Sequence, residues 1–192
     1  MQKAAPYIDS TVVVLALSSG LLHPNISVYY RSVAELLLWI GVPLFTFCTL
    51  AYFYSERHSN RIQGQRKKAA PVAKGAYGTA RAVFVVSGMA AWPMGLYKLG
   101  YPTGLAWTLE QMGLTWWMAV IQIYLGIVAV DAWTYWKHRW LHTKVLFPFH
   151  KHHHSFRDPT PFAGFAVGPV ETVLTFWPLL LICIPEAKHF AP

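Results

Sequence analysis

Six of the nine histidines fall within residues 138–154, and their spacing is the chemistry-bearing feature of the chain. The segment reads His138-Arg139-Trp140-Leu141-His142, then seven residues, then His150-Lys151-His152-His153-His154. On a helix, positions i and i+4 share a face one turn apart. His138 and His142 therefore point the same way, as do His150, His153 and His154 at i, i+3 and i+4. Two such turns joined by a bend can aim five imidazoles at one centre. Neutral imidazole suits Fe, Zn, Cu and Ni. So many nitrogen donors favour redox-active iron over a closed structural zinc site, which usually takes four ligands. An HxxxH pair alone is ordinary surface, and adjacent histidines alone are a basic tract; the joint pattern carries the metal reading. His152 falls out of phase and is expected behind the ligands or facing solvent. Asp131 lies two helical turns before His138. It is expected either to hydrogen-bond a ligand imidazole and fix its tautomer, or to pair with Lys137 or Arg139. Glu35 and Glu171 are weaker cases of an acid in an apolar run. His23 and His58 receive no role, and His189 stays ambiguous.

The elements that must position these side chains are membrane helices. Of 192 residues, 55% are hydrophobic and only 12% charged. Soluble domains carry about 25% charged residues. A membrane span needs about 20 mostly apolar residues. Leu36–Tyr54, Ala82–Tyr97 and Gly113–Val130 fit, the last continuing through Asp131 to Trp136. Trp116 and Trp136 would bracket it about 30 Å apart. Thr11–Leu22 reads as a short span, a re-entrant piece or a signal-like segment. Phe162–Pro185 is interrupted by Gly168, Pro169 and Glu171 and is expected as a broken span or an interfacial pair of helices. The fold expected is all-α: a polytopic membrane helical bundle of about four spans with cytosolic His-bearing helices, as one membrane domain over 1–192.

Charge sets the orientation. Twelve of the 16 basic residues lie in 55–81 and 137–157, and none in 99–112. The positive-inside rule places the two basic loops in the cytosol. The net charge of +8 thus reports topology rather than nucleic-acid binding. The run Arg66-Lys67-Lys68 reads mainly as a solvated topology signal. Cys48 and Cys183 form no disulfide framework and read as buried small hydrophobes. A His-lined transporter would need ligands at the bilayer midplane, whereas these follow the span.

The string Asp131-Ala132-Trp133-Thr134-Tyr135-Trp136-Lys137-His138-Arg139-Trp140-Leu141-His142, followed by His150-Lys151-His152-His153-His154, resembles the fatty acid hydroxylase/sterol desaturase superfamily. The HxxxH and HxxHH boxes match in spacing and order. Pro159-Thr160-Pro161-Phe162-Ala163 resembles the sterol C-5 desaturases. The resemblance covers roughly 113–185. It implies an integral membrane oxidoreductase of the endoplasmic reticulum with its metal site facing the cytosol. Such enzymes use a His-bound diiron centre and O2 to desaturate or hydroxylate lipids, with electrons from cytochrome b5 and NAD(P)H. Carried over, the metal ligands are His138, His142, His150, His153 and His154. Sterol, sphingoid base, fatty acyl and aldehyde users share these boxes, so the membrane lipid substrate stays open, as does homo- or hetero-oligomerisation. Two departures stand out. Gly168-Pro169-Val170-Glu171 occupies the place of a His-Pro-x-Glu element. The later His-rich box is absent before Pro192, so the chain is expected to be C-terminally truncated. Five ligands suffice for one metal rather than a diiron pair, and the alternative reading is an inactive or regulatory short form.

Overall fold

A computed structural model describes residues 3–57, 71–157 and 159–183. Its helices are α1 (Ala5–Ser18), α2 (Ile26–Leu36), α3 (Val42–Arg57), α4 (Val72–Lys98), α5 (Trp116–Leu141), α6 (Phe147–His150) and α7 (Pro169–Ile182). No strand occurs among the described residues. Among the described residues, three stretches are long and apolar enough to cross a membrane: Ala5–Leu22, Ile26–Arg57 and Trp116–Leu141, with mean hydropathies of 1.4, 1.9 and 1.4. The chain is thus an all-α bundle with the composition of a membrane protein. His58, Arg61, Arg66, Lys67, Lys68 and His189 lie outside the described residues.

Three expected boundaries move, each for a physical reason. The short segment from Thr11 begins at Ala5, because Asp9 interrupts the apolar pattern without interrupting the helix. The span expected from Leu36 begins at Ile26. Asn25 caps α2 by accepting from Val28 N at 3.0 Å, and a π-helical turn at Leu37–Gly41 carries it directly into α3. The segment Ala82–Tyr97 lies inside α4 but is not among the three membrane-length apolar stretches.

That last helix is the centre of the bundle. Its buried face is built from Gly75, Gly78, Thr79, Ala82, Ser87, Gly88 and other small residues. Small side chains lower hydropathy while letting helix backbones approach, which is how apolar helices pack without a hydrophobic driving force. A Cβ on Gly88 would stand 2.8 Å from the Ala16 carbonyl oxygen of α1. The same seam is hydrogen-bonded: the Tyr29 hydroxyl lies 2.7 Å from Ala16 O and 3.0 Å from Gly88 O. Glu35, an acid in an apolar run, pairs with Lys98 and with Arg31.

The segment after Thr160 is broken as expected. A 3₁₀ turn at Pro161–Gly164 precedes α7, whose 14 residues reach only about 21 Å. α7 pins the otherwise exposed α5, since Trp133 Nε1 donates to Leu174 O at 2.9 Å and the Trp133 and Trp177 rings meet edge to face at 5.7 Å. Cys48 is buried and Cys183 half-buried, and both are free thiols.

Candidate metal centre

The site is assembled from the end of α5, α6, the following 3₁₀ turn and the start of α7. Lys137 and Leu141 turn inward one helical turn apart, and Leu141 is fully buried. That anchoring sets the rotation of the last turn and places His138 and His142 side by side. His142 is the C-cap of α5. The chain folds back at once: Phe147 N donates to Thr143 O at 2.9 Å, and α6 carries His150 into a fully buried position.

The fold-back brings four imidazoles together. His138 Nε2 and His142 Nε2 stand 3.1 Å apart, and His150 Nε2 and His154 Nε2 stand 2.8 Å apart. The two pairs face one another, with ring centroids at 4.8 Å for His138 and His150 and at 4.8 Å for His142 and His154. One nitrogen from each of the four lies within 4.8 Å of the others. Metal–imidazole bonds are about 2.0–2.1 Å, so nitrogens opposed across one ion stand about 4 Å apart. The observed cluster is close to that size, and its donor set is all nitrogen. These residues fit a metal ion.

His153 stands apart from this group. Residues 151–152 form a turn and His153–Ser155 a 3₁₀ turn, so the even helical face expected over 150–154 is not made. The i, i+4 pair of His150 and His154 survives. His153 stacks on His150 at 5.5 Å and borders an internal cavity, with its Nδ1 buried and without a hydrogen bond. His152 is half-buried and looks the other way; a Cβ on Gly78 of α4 would lie 3.0 Å from its Nε2.

Burial and like charge favour the neutral form of His152, His153 and His154. Desolvation, then His150 and His142, hold His154 below the usual imidazole value. Desolvation lowers His153 against the opposing pull of Glu171. Desolvation and then Lys74 and Arg81 lower His152. Neutral imidazole is the form that offers a lone pair to a metal.

The carboxylate that meets an imidazole is Glu171. Its Oε2 lies 2.8 Å from His150 Nδ1, with both groups buried. Its Oε1 lies 3.8 Å from Lys137 Nζ, which also donates to Thr175 Oγ1 at 3.0 Å. Asp131 is exposed beside His138 in an open groove with Thr134 and Tyr135, and among the described residues no hydrogen bond joins it to an imidazole. The sequence signal for Glu171 was present but slight: a single acid in an apolar run, three residues after Gly168. Nothing in the pattern marks Lys137 as buried.

An apolar cavity of about 470 Å³ opens onto this cluster. Leu44, Val83, Val86, Val167 and Phe176 line it, while His138, His150, His153, Lys137 and Glu171 form its polar end.

Comparison with known proteins adds to this geometry. Residues 123–191 match the fatty acid hydroxylase family model. A stretch of 56 residues is 39% identical to the Delta(7)-sterol 5(6)-desaturase of Gibberella zeae, covering 29% of this chain and 16% of that protein. A stretch of 60 residues is 37% identical to the lathosterol oxidase of Homo sapiens, covering 31% of this chain and 20% of that protein. The lathosterol oxidase of Rattus norvegicus is 36% identical over 64 residues, 33% of this chain and 21% of that protein. The matched stretch therefore spans about a fifth or less of those relatives. These matches bear out the resemblance to the fatty acid hydroxylase/sterol desaturase superfamily, including its sterol desaturases. No solved structure matches.

Proposed function

We propose that this chain belongs to a membrane-bound, iron-dependent, O2-using lipid desaturase or hydroxylase. A sterol is the favoured substrate class, because the similar proteins are a sterol desaturase and lathosterol oxidases. The carrying observation is the convergence of four imidazoles at the polar end of an apolar cavity.

His138, His142, His150 and His154 would hold the metal, and His153 lines the adjoining cavity. Bound iron supplies the O2 chemistry needed to attack an unactivated C–H bond. The protein's own contributions follow from the geometry. Glu171 accepts from His150 Nδ1–H, which fixes the tautomer and leaves the Nε2 lone pair turned into the cluster. Lys137 balances the buried carboxylate. Val83, Val86, Val167 and Phe176 give a hydrocarbon an apolar wall and exclude water. The basic residues around the site favour a cytosol-facing orientation in the endoplasmic reticulum membrane. They also suit an acidic electron donor of the cytochrome b5 type, itself reduced by NAD(P)H.

Titration of the chain in lipid nanodiscs with Fe2+ under anaerobic conditions tests the site. Stoichiometric binding that is lost in His138→Ala and His150→Ala is expected. Equal binding by wild type and both variants would overturn the assignment. Conversion of a Δ7-sterol by the iron-loaded chain, given O2 and a reductant, tests the reaction.

A further inference from the structure

The helix that carries Glu171 has no cap of its own. Its N-cap is Gly168, which has no side chain to accept from the first turn, and Pro169 at the next position has no N–H to offer. The first free amide is that of Val170, and it donates to Asp9 Oδ1 of α1 at 3.1 Å. Asp9 is 92% buried, in a helix otherwise apolar enough to cross a membrane. An acid in such a segment is costly and needs a specific partner.

The contact is a tight three-way junction. A Cβ on Gly168 would come 2.7 Å from Phe149 O, one residue before His150, and 3.3 Å from Asp9 Oδ2. Only a glycine lets α1, α6 and α7 meet this closely. The residue after Val170 is Glu171, whose carboxylate reaches His150 at 2.8 Å. One turn of backbone therefore links the Asp9 carboxylate to the imidazole that Glu171 orients.

We infer that Asp9 is a positioning residue for the metal centre: by capping α7 from another helix, it sets the first turn of α7 so that Glu171 meets His150. It acts through Val170 N–H and Glu171, and touches neither metal nor substrate. The inference rests on the metal-centre reading above for its purpose. Its geometry is independent of that reading. It also makes α1 part of the site's support.

The test is the metal-free chain in nanodiscs with ¹⁵N-labelled histidine, compared as wild type, Asp9→Ala, Asp9→Asn and Glu171→Gln. Wild type should show a downfield Nδ1–H resonance from the His150–Glu171 bond, which Glu171→Gln shifts or removes. Asp9→Ala should also displace it, whereas Asp9→Asn, which keeps an acceptor oxygen, should restore it. Co2+ affinity should fall on the order of tenfold in Asp9→Ala and remain near wild type in Asp9→Asn. An unchanged resonance and Co2+ affinity in Asp9→Ala would overturn the inference, as would Asp9→Asn behaving like Asp9→Ala. Should Asp9→Ala fail to fold, amide exchange at Val170 in wild type decides. Slow exchange is expected, and exchange as fast as in an open loop contradicts the cap. A wild-type chain that binds no Co2+ refutes the metal reading alone, and the resonance comparison then judges Asp9.

Discussion

Glu171 Oε2 lies 2.8 Å from His150 Nδ1, with both side chains sealed from solvent. This contact joins α6 to α7 and ties the most buried imidazole of the cluster to a short apolar helix.

Replacing Glu171 should damage both the metal affinity and the fold. Glu171→Gln keeps the shape but weakens the acceptor, and loss of such a partner typically costs about 10- to 100-fold in metal affinity. Glu171→Ala also leaves Lys137 buried without its anion, at a cost of about 3 kcal/mol. Co2+ titration and unfolding in mild detergent measure the two effects. Wild-type behaviour of both variants would remove Glu171 from the account.

The histidines should divide into two classes. Alanine at His138, His142, His150 or His154 should each abolish stoichiometric binding of one metal ion, because each supplies a converging nitrogen. His153→Ala should retain that ion and alter lipid binding at the cavity, where His153 forms part of the wall. Metal analysis of the five purified variants separates these outcomes. Loss of the first ion in His153→Ala would place that ring among its ligands.

The apolar cavity should be separable from the metal. Val83→Trp inserts bulk into the cavity wall at a residue that supplies no metal-binding atom. Sterol binding should fall at least about tenfold, since overpacking a filled space is costly, while Co2+ binding stays unchanged. Undiminished sterol binding would place the substrate elsewhere.

Acid should destabilise the metal-free chain. Burial holds His153 and His154 below the ordinary imidazole value of about 6.5. The unfolded chain then binds more protons than the folded one as pH falls below that value, so stability is full above it and declines beneath it. Protons compete with metal in the same direction. Thermal unfolding of the apo chain across about pH 5 to 8 should show this decline, and a flat or rising profile towards acid contradicts it.

How much was legible in the sequence can be judged residue by residue. The HxxxH pair was readable because helix periodicity is local, and His138 and His142 do meet. The i, i+3, i+4 set was readable only in part, because the turn at 151–152 broke the helix and left His153 stacked on His150 but outside the group of converging nitrogens. Asp131 was the more conspicuous acid by its distance from His138, yet Glu171 makes the imidazole contact. That choice depends on how α7 packs against α6, a long-range fact with no local signature. Hydropathy picked out Ala82–Tyr97 but missed that α4 begins at Val72, because the glycines, alanines and basic residues of its first turns are not strongly apolar. It passed over Asp9 because the partner of that carboxylate is an amide 161 residues away.

The most direct test of the central claim is X-ray absorption at the iron edge of the Fe2+-loaded chain in nanodiscs. Multiple scattering from about four imidazoles per iron is predicted, with the count reduced in His142→Ala and in His154→Ala. An iron shell of water and carboxylate oxygens, unchanged in both variants, would contradict the account.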